Sequence, residues 1–367
     1  MVTGVGAAML SMVLATRSTA VRVPVDICRH ACAPAVAVRC GRLRRHAYRR
    51  CRRTLVRACR KTGPTSCDVT STSTSSSTTT STVPSPPAVR HIDTVFIVVM
   101  ENHDWSQIAG NPAAPYINDV LLPAGSHAEQ YVNLPGIHPS EPNYLWLEAG
   151  TNFGILDDAG PATNHLSTTE HLVALLDSAG VSWRAYEEDI SGTTCPVTDT
   201  GRYAVDHDPF VFFDGVSGRE TGSPAYCILH IRPYSELRAD LLADTVARYN
   251  FITPNLCHDM HQSCSGTSDP VADGDTWLST LVPTIIGSPA YARGGVLFIA
   301  WDESSSIEAP IGMIVLSPFA KGVGYPNTIR YTHSSTLRTI EEIFGVAPML
   351  GGAATATDLS DLFAVFP

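Results

Sequence analysis

The chain has 367 residues, 44% of them hydrophobic, and a formal net charge of −10 at pH 7. This length accommodates one large domain or two unequal ones, and the hydrophobic content is that of a globular protein. The charge is divided unevenly, because residues 1–67 contain fourteen Lys or Arg and one acidic residue, whereas residues 68–367 contain eleven and thirty-four. A basic head on an acidic body indicates two modules, and the acidity of the body excludes nucleic acid as its expected partner.

The first residues have the pattern of an export signal. Residues 5–15 form an apolar run that is long enough for the core of a signal peptide and too short to span a membrane. Small residues at 18–20 suit a cleavage site, although a charged segment before the apolar run is missing. We predict a signal peptide over 1–20, a secreted or periplasmic/cell-envelope location, and no transmembrane segment.

Six cysteines alternate with arginines in residues 21–67, which we expect to form a small helical module stapled by disulfides. Its arginines either contact anionic surfaces or form a solvated charged face. Residues 69–83 are almost wholly Ser and Thr and lead into a Pro-rich stretch, so 68–90 is predicted to be a linker and the main domain is expected over 91–367.

The body has four further cysteines. Cys257 and Cys264 close a short loop, where a disulfide would limit the mobility of the residues between them. By elimination, Cys195 is then expected to pair with Cys227.

Strands and helices alternate from residue 91 onward. The hydrophobic patterns predict strands near 95–100, 182–186, 248–253, 295–301 and 311–316, and helices near 114–122, 141–149, 168–179, 234–247, 275–289 and 334–344. This alternation predicts an α/β fold, a three-layer α/β/α sandwich with a mainly parallel sheet.

Polar residues follow several of these strands directly. Glu101 and Asn102 follow the first strand, and Asp302 and Glu303 follow the fourth. The strand at 248–253 leads to the segment His258-Asp259-Met260-His261, and the last strand leads through a loop to His333. Ligands bind beyond the carboxyl ends of strands in open α/β sheets, so these groups are expected to share a pocket. Taken one at a time, they could also be turns, solvated strand ends or surface pairs.

Ser140, in the segment His138-Pro139-Ser140-Glu141-Pro142-Asn143-Tyr144, is the candidate nucleophile. It is placed to be the N-cap of a helix, where the helix dipole favours an alkoxide and an incoming anion. A plain helix cap is the alternative interpretation.

These segments together resemble the phosphoesterase family, which includes bacterial acid phosphatases and phospholipases C and has an alkaline-phosphatase-like fold. The resemblance is carried by Glu101-Asn102, the segment around Ser140, Thr253-Pro254-Asn255 with Asp259-Met260-His261, Trp301-Asp302-Glu303, and Tyr331-Thr332-His333-Ser334. It covers roughly residues 91–346 and does not extend to the Cys-rich head.

The resemblance implies a divalent metal cation and a covalent phosphoserine on Ser140. It implies that the metal is held by Glu101, Asn102, Asp302 and Glu303, and that His261 and His333 bind phosphate oxygens or protonate the leaving group. Asp259 would orient His261 or support the metal, and Asn102, His207 and His258 would contribute to phosphate binding. His258 stands where the family pattern has Asn, and His207 carries a weaker likeness.

The favoured function is that of a secreted, metal-dependent phosphoric ester hydrolase resembling an acid phosphatase. Its substrate would be a small phosphate ester or, as in a phospholipase C, a phospholipid head group; exposed Trp or Phe around the pocket would favour the latter. A metal-free serine hydrolase using Ser140 and His333 is a second hypothesis, and a non-catalytic polyanion- or surface-binding protein is a third.

Overall fold

A computed structural model gives the structure of residues 91–367, apart from residues 220–223, 267 and 306–307. These residues belong to one compact unit of the chain, Pro86–Pro367. The signal peptide, Cys-rich module and linker predicted over residues 1–90 lie outside the described residues and stay predictions.

In the part of the chain that the structure describes, eight strands form a single sheet in the order β4-β3-β5-β1-β6-β7-β2-β8. Every residue of β1 and of β6 is buried, so both faces of the sheet are covered at its centre. The strands are β1 (Thr94–Met100), β2 (Ser126–Ala128), β3 (Trp183–Glu187), β4 (Ile231–Pro233), β5 (Tyr249–Thr253), β6 (Gly295–Trp301), β7 (Met313–Leu316) and β8 (Tyr325–Asn327).

Helices cover the sheet in two groups whose members contact one another. One group is α3 (Ser140–Ala149), α4 (Leu172–Ser178) and α10 (His333–Phe344), and the other is α7 (Tyr234–Ala243), α8 (Pro270–Ile286) and α9 (Pro289–Ala292). Short helices complete the set: α1 (Trp105–Ile108), α2 (Leu122–Ala124) after a π-turn at Ile117–Leu121, α5 (Asp214–Ser217) and α6 (Ala225–His230). Four 3₁₀ turns lie at Val205–His207, Pro209–Phe212, Gly351–Ala354 and Ser360–Leu362.

The predicted three-layer α/β fold with a mainly parallel sheet is confirmed. All five predicted strands are present, whereas β2, β4 and β8 were not predicted, because strands of three residues are too short to show an alternating pattern. Strand β7 pairs antiparallel with both β6 and β2, and the remaining pairs are parallel.

The direction of β7 corrects one step of the sequence argument. Because β7 is antiparallel to β6, its carboxyl end faces the opposite edge of the sheet from Asp302. His333 instead follows β8, which pairs parallel with β2 and therefore runs in the same direction as β1 and β6. His333 thus reaches the expected edge of the sheet from a strand that the sequence did not reveal.

Both predicted disulfides of the body are confirmed. Cys195 is bonded to Cys227, and Cys257 is bonded to Cys264. Within the described ranges, no helix is both long enough and apolar enough to cross a membrane.

A glycine is required at position 312, just before β7, both because the Trp105 side chain packs closely against it and because its backbone has a positive φ. Its φ is +74°, and a Cβ atom on it would overlap the indole of Trp105. Gly180 has a similar φ of +70°, but a Cβ there would meet no atom within 4 Å.

We therefore expect Gly312→Ala to destabilise the fold much more than Gly180→Ala. The Gly180 variant should lose about 1 kcal/mol, the cost of a left-handed backbone in a residue with a Cβ. The Gly312 variant should lose about 3 kcal/mol or more, because overpacking against Trp105 adds to that cost. Urea unfolding of both variants measures the difference, and equal losses would contradict this account.

Glu341, on α10, is a buried carboxyl whose titration should affect stability. Its Oε1 accepts a hydrogen bond from the backbone N–H of Leu350 at 2.8 Å, while its buried Oε2 has no hydrogen-bond partner. Burial raises the pKa of Glu341 from 4.5 to about 7. Between these two values the folded state holds the proton more tightly than the unfolded state, so the stability from this group is present below pH 4.5 and is lost as pH rises toward 7.

Glu341→Gln should therefore match the wild type in stability near pH 4.5 and exceed it near pH 8. Gln keeps an acceptor for Leu350 and has no charge to bury. The measurement is the free energy of unfolding of both proteins at the two pH values. A stability difference that does not change with pH would show that Glu341 is not the titrating group.

Candidate active site

Glu101 lies at the centre of the site, immediately after β1, and is fully buried. Its Oε2 accepts hydrogen bonds from the Ser140 hydroxyl at 3.1 Å and from the Asn102 amide at 2.9 Å. Its Oε1 accepts a hydrogen bond from the Tyr144 hydroxyl at 3.0 Å. The predicted nucleophile therefore contacts a predicted metal ligand directly.

Helix α3 supplies two of these donors because Ser140 and Tyr144 are four residues apart and share one face. Pro139 is the N-cap, so Ser140 is the first helical residue rather than the cap itself, a shift of one position from the prediction. Its hydroxyl donates to Glu101, so the contact of Ser140 is with the carboxyl cluster.

Asp302 is brought beside Glu101 by the sheet register, in which Met100 pairs with Trp301. Its Oδ1 accepts a hydrogen bond from the backbone N–H of Asn102 at 2.9 Å, and its buried Oδ2 has no hydrogen-bond partner. Asn102 has a φ of +47°, a left-handed conformation that Asn tolerates better than most residues. The four residues after β1 and β6 thus meet at one corner.

Glu303 lies at the edge of this corner. Its Oε2 accepts a hydrogen bond from Asn143 Nδ2 at 3.0 Å and lies 2.6 Å from Nδ1 of His138. Both partners flank Ser140 in sequence, so the start of α3 touches Glu101 and Glu303 together.

Asp259 and His261 approach Glu101 from the loop after β5. The carbonyl of Asp259 accepts a hydrogen bond from the backbone N–H of Glu101 at 2.8 Å. Nδ1 of His261 lies 3.3 Å from Oε2 of Glu101 and 3.2 Å from the Asn102 amide nitrogen. The His261 side chain is 42% exposed, so it borders the solvent side of the site.

His207, whose likeness to the family pattern was weaker, also reaches the site. Its Nε2 lies 3.3 Å from Oε1 of Glu101, and its ring stacks on Tyr144 with 5.1 Å between the centroids. Burial, and to a smaller extent the nearby His261, lower the pKa of His207 to about 3, so the ring is neutral at neutral pH.

The carboxyls of the site are buried together with like charges. Burial raises the pKa of Glu101 and Asp302 well above their ordinary values. Repulsion from Asp259 adds to the pKa shift of Glu101, and repulsion from Glu101 adds to that of Asp302. Burial also raises the pKa of Asp259, and it raises that of Glu303 to about 9. In the described part of the chain, the ion-pair partners of Glu101, Asp259 and Glu303 are all histidines.

A divalent cation suits this arrangement. Ligand atoms of Glu101, His207 and His261 lie within 4.8 Å of one another. Oδ2 of Asp302 and Oδ2 of Asp259 are buried without a hydrogen-bond partner. Carboxylate oxygens with imidazole nitrogens form a common donor set for divalent metals, and a cation would allow several carboxylates to be ionised at once. The residues present therefore fit the metal that the sequence implied.

Two predicted site histidines are bonded elsewhere. Nδ1 of His258 lies 2.8 Å from Oε2 of Glu188. His333 is fully buried, with Nδ1 3.1 Å from the Tyr131 hydroxyl and Nε2 bonded to the backbone carbonyl of Asp302. Burial lowers the pKa of His333 to about 4. In this structure His333 holds the Asp302 segment, and direct contact of either ring with phosphate stays a prediction.

Three contacts of the site were not predicted from the sequence, namely those of Tyr144, Asn143 and His138. Helical spacing from Ser140 was an available signal for two of them, because positions three and four residues along a helix share its face. The pairing of His138 with Glu303 joins distant parts of the chain and had no local signal.

The chain also matches a known protein family. The model of the Phosphoesterase family matches residues 129–347. The chain belongs to the Phosphoesterase family. The resemblance noted from its motifs is confirmed, and the protein is a hydrolase of phosphoester bonds.

Named relatives agree with this assignment. A phosphatidylinositol-3-phosphatase of Mycobacterium tuberculosis is 29% identical over 270 residues, which cover 73% of this phosphoesterase and 82% of the relative. A phosphate-repressible acid phosphatase of Penicillium chrysogenum is 25% identical, over 58% of this chain and 51% of its own. The phosphoesterase therefore spans about half the length of that fungal enzyme.

Solved structures that align with the phosphoesterase include a member of the alkaline phosphatase superfamily from Vibrio parahaemolyticus. The two share 9% sequence identity with a TM-score of 0.47, over 76% of this chain and 73% of that one. At this similarity, the description of the fold rests on the strand order and register given above.

Tyr144→Phe tests the contact network around Glu101. The change keeps the ring on His207 and removes one hydrogen-bond donor from a buried carboxylate, which costs about 1–3 kcal/mol when the acceptor is charged. We expect kcat/KM for p-nitrophenyl phosphate to fall roughly 10-fold and the melting temperature to fall by a few degrees. Tyr291→Phe, outside the site, serves as the control, and equal activity of the two variants would refute the role of the hydroxyl.

Proposed function

We propose that this phosphoesterase is an exported, metal-dependent phosphoric monoester hydrolase that forms a phosphoserine on Ser140. The observation that carries the proposal is the contact of the Ser140 hydroxyl with Glu101, within a buried cluster of carboxyls that a cation would stabilise. Glu101, Asn102 and Asp302 would hold the metal, with Glu303 at its edge and His207 and His261 within reach. The bound cation would supply positive charge that lowers the pKa of the Ser140 hydroxyl and offsets the charge of the phosphate.

The residues of the chain then divide the reaction between them. Ser140, at the positive end of the α3 dipole, gives its proton to Glu101, whose Oε2 accepts its hydrogen bond, and its Oγ forms the bond to phosphorus while the bond from phosphorus to the leaving oxygen breaks. His261 is partly exposed beside Ser140's partner Glu101, so it is placed to give a proton to the leaving alcohol. In the second half a water attacks phosphorus and gives a proton to His261, the Oγ–P bond breaks, and the Ser140 oxygen recovers its proton from Glu101.

A small monoester is the favoured substrate. Within the described residues no Trp or Phe side chain is exposed, and such side chains around the pocket would favour a phospholipase C. The M. tuberculosis relative is named a phosphatidylinositol-3-phosphatase, so a phosphomonoester on an inositol ring belongs in the substrate panel. Export is supported by the disulfides Cys195–Cys227 and Cys257–Cys264, which form in oxidising compartments.

Ser140→Ala and metal removal test the proposal together. We expect the metal-loaded wild type to hydrolyse p-nitrophenyl phosphate, chelation to abolish this activity, and a divalent metal to restore it. Ser140→Ala should lose roughly 1,000-fold or more in kcat while retaining bound metal, because the nucleophile alone is removed. Acid-quenched wild type should carry one phosphoryl group on the peptide that contains Ser140.

The matched control is Ser288→Ala. Ser288 is also a buried serine at a helix start, 4% exposed like Ser140, and it caps α9 away from the site. This variant should lose about 1 kcal/mol of stability and no activity. Full turnover by Ser140→Ala would exclude the phosphoserine route, and turnover of carboxyl esters after metal stripping would favour the serine-hydrolase alternative. Absence of turnover with every divalent metal would favour the non-catalytic alternative.

A further inference from the structure

His258 lies outside the cluster around Glu101 although it directly precedes Asp259. Its Nδ1–H donates to Oε2 of Glu188 at 2.8 Å, and its ring lies nearly parallel to that of Trp277, with 6.2 Å between the centroids. The side chain is 31% exposed. The reaction proposed above assigns this histidine no step. We therefore consider which residues its hydrogen bond holds in place.

Glu188 connects the ends of two neighbouring strands. It directly follows β3, and its backbone N–H donates to the carbonyl of Thr253, the last residue of β5, at 3.1 Å. The same Oε2 that accepts from His258 also accepts from the backbone N–H of Asn255 at 3.0 Å. One carboxylate oxygen therefore fixes both ends of the turn formed by residues 255–258.

Asn255 stabilises this turn and connects it to the site through hydrogen bonds. Its side-chain oxygen accepts from the backbone N–H groups of Cys257 at 3.0 Å and His258 at 3.2 Å, and its carbonyl accepts from the N–H of Asp259 at 3.0 Å. Asp259 in turn accepts from the backbone N–H of Glu101 through its carbonyl, and from that of His261 at 2.7 Å through Oδ1. A continuous series of hydrogen bonds thus joins Glu188 to the site.

We propose that His258 is a positioning residue, whose hydrogen bond to Glu188 fixes the turn 255–258 and thereby aligns Asp259 and His261 with the phosphoryl group. The kinetic consequence rests on the proposed function, whereas the effect on the turn does not. His258 is then neither a phosphate ligand nor a proton donor in this protein.

Two substitutions test separately the hydrogen-bond donor of His258 and the packing of its ring. In His258→Asn the side-chain nitrogen is as many bonds from Cβ as Nδ1 of histidine, so a donor toward Glu188 remains while the ring is lost. In His258→Phe the ring against Trp277 remains while the donor is lost. His165→Ala is the matched control, because His165 also bonds a carboxylate, Asp214, at 3.0 Å and is similarly exposed at 37%, away from the site.

The first measurement is steady-state hydrolysis of p-nitrophenyl phosphate by metal-loaded protein. We expect His258→Phe to lose roughly 10-fold in kcat with KM within about twofold, since a hydrogen bond to a charged group is lost and the turn loosens. His258→Asn should stay within about threefold of wild-type kcat with an unchanged pH profile, and His165→Ala should match the wild type. The proposal would be overturned if His258→Asn lost as much kcat as His258→Phe, or if its pH profile were shifted.

The second measurement does not depend on activity. Hydrogen–deuterium exchange of the backbone amides of residues 255–261 should be about 10-fold faster in His258→Phe than in the wild type, and unchanged in His258→Asn. Unchanged exchange in His258→Phe would refute the positioning role. If the protein hydrolyses no phosphate ester while the exchange rates follow this pattern, the proposed function fails and the role of His258 in the turn stands.

Discussion

The burial of several carboxyls at one corner of the sheet is the constraint on which the rest of the site depends. Glu101 and Asp302 follow adjacent parallel strands, so the register that builds the core also forces their charges together. Each carboxylate in such a place needs donors or a cation, since an unpaired buried charge is very costly. Ser140, Asn102 and Tyr144 donate to Glu101, and Asn102 also donates to Asp302. Oδ2 of Asp302 and Oδ2 of Asp259 are buried without a hydrogen-bond partner, which supports the proposal of a cation at this corner.

Helix α3 links the nucleophile to this charge cluster. Its first turn contacts Glu101 through Ser140 and Glu303 through Asn143, and Tyr144 adds a second contact to Glu101. A shift of the helix start would therefore disturb the hydroxyl and the carboxylates together. In the reaction proposed above, this coupling would keep a fixed distance between the Ser140 oxygen and a bound cation.

The sequence revealed the parts of this arrangement that depend on local pattern. The buried strands before Glu101 and Asp302 are continuous apolar runs, and the parallel register then places the two carboxylates side by side. The direction of β7 and the strands β2, β4 and β8 were beyond such reasoning, because three-residue strands are defined by their neighbours rather than by their own sequence. The hydrogen-bond partner of His258 could not be predicted either, because nothing near His258 in the sequence points to Glu188.

A histidine beside a catalytic segment is commonly taken as a member of the site. For His258, the hydrogen bond of its ring to Glu188 argues against that assignment. His261 presents its ring at the solvent side next to Glu101, whereas His258, three residues earlier, turns to Glu188 and Trp277. The turn between them contains Met260 at a φ of +80°, a conformation that costs free energy and persists only when its surroundings hold it. Met260 packs against Gly274 of α8, where any Cβ would overlap its side chain. The glycine inside α8, the Cys257–Cys264 disulfide and the bond to Glu188 therefore act on one short loop, and together they hold His261, at the solvent side of the Glu101 cluster, to a rigid scaffold.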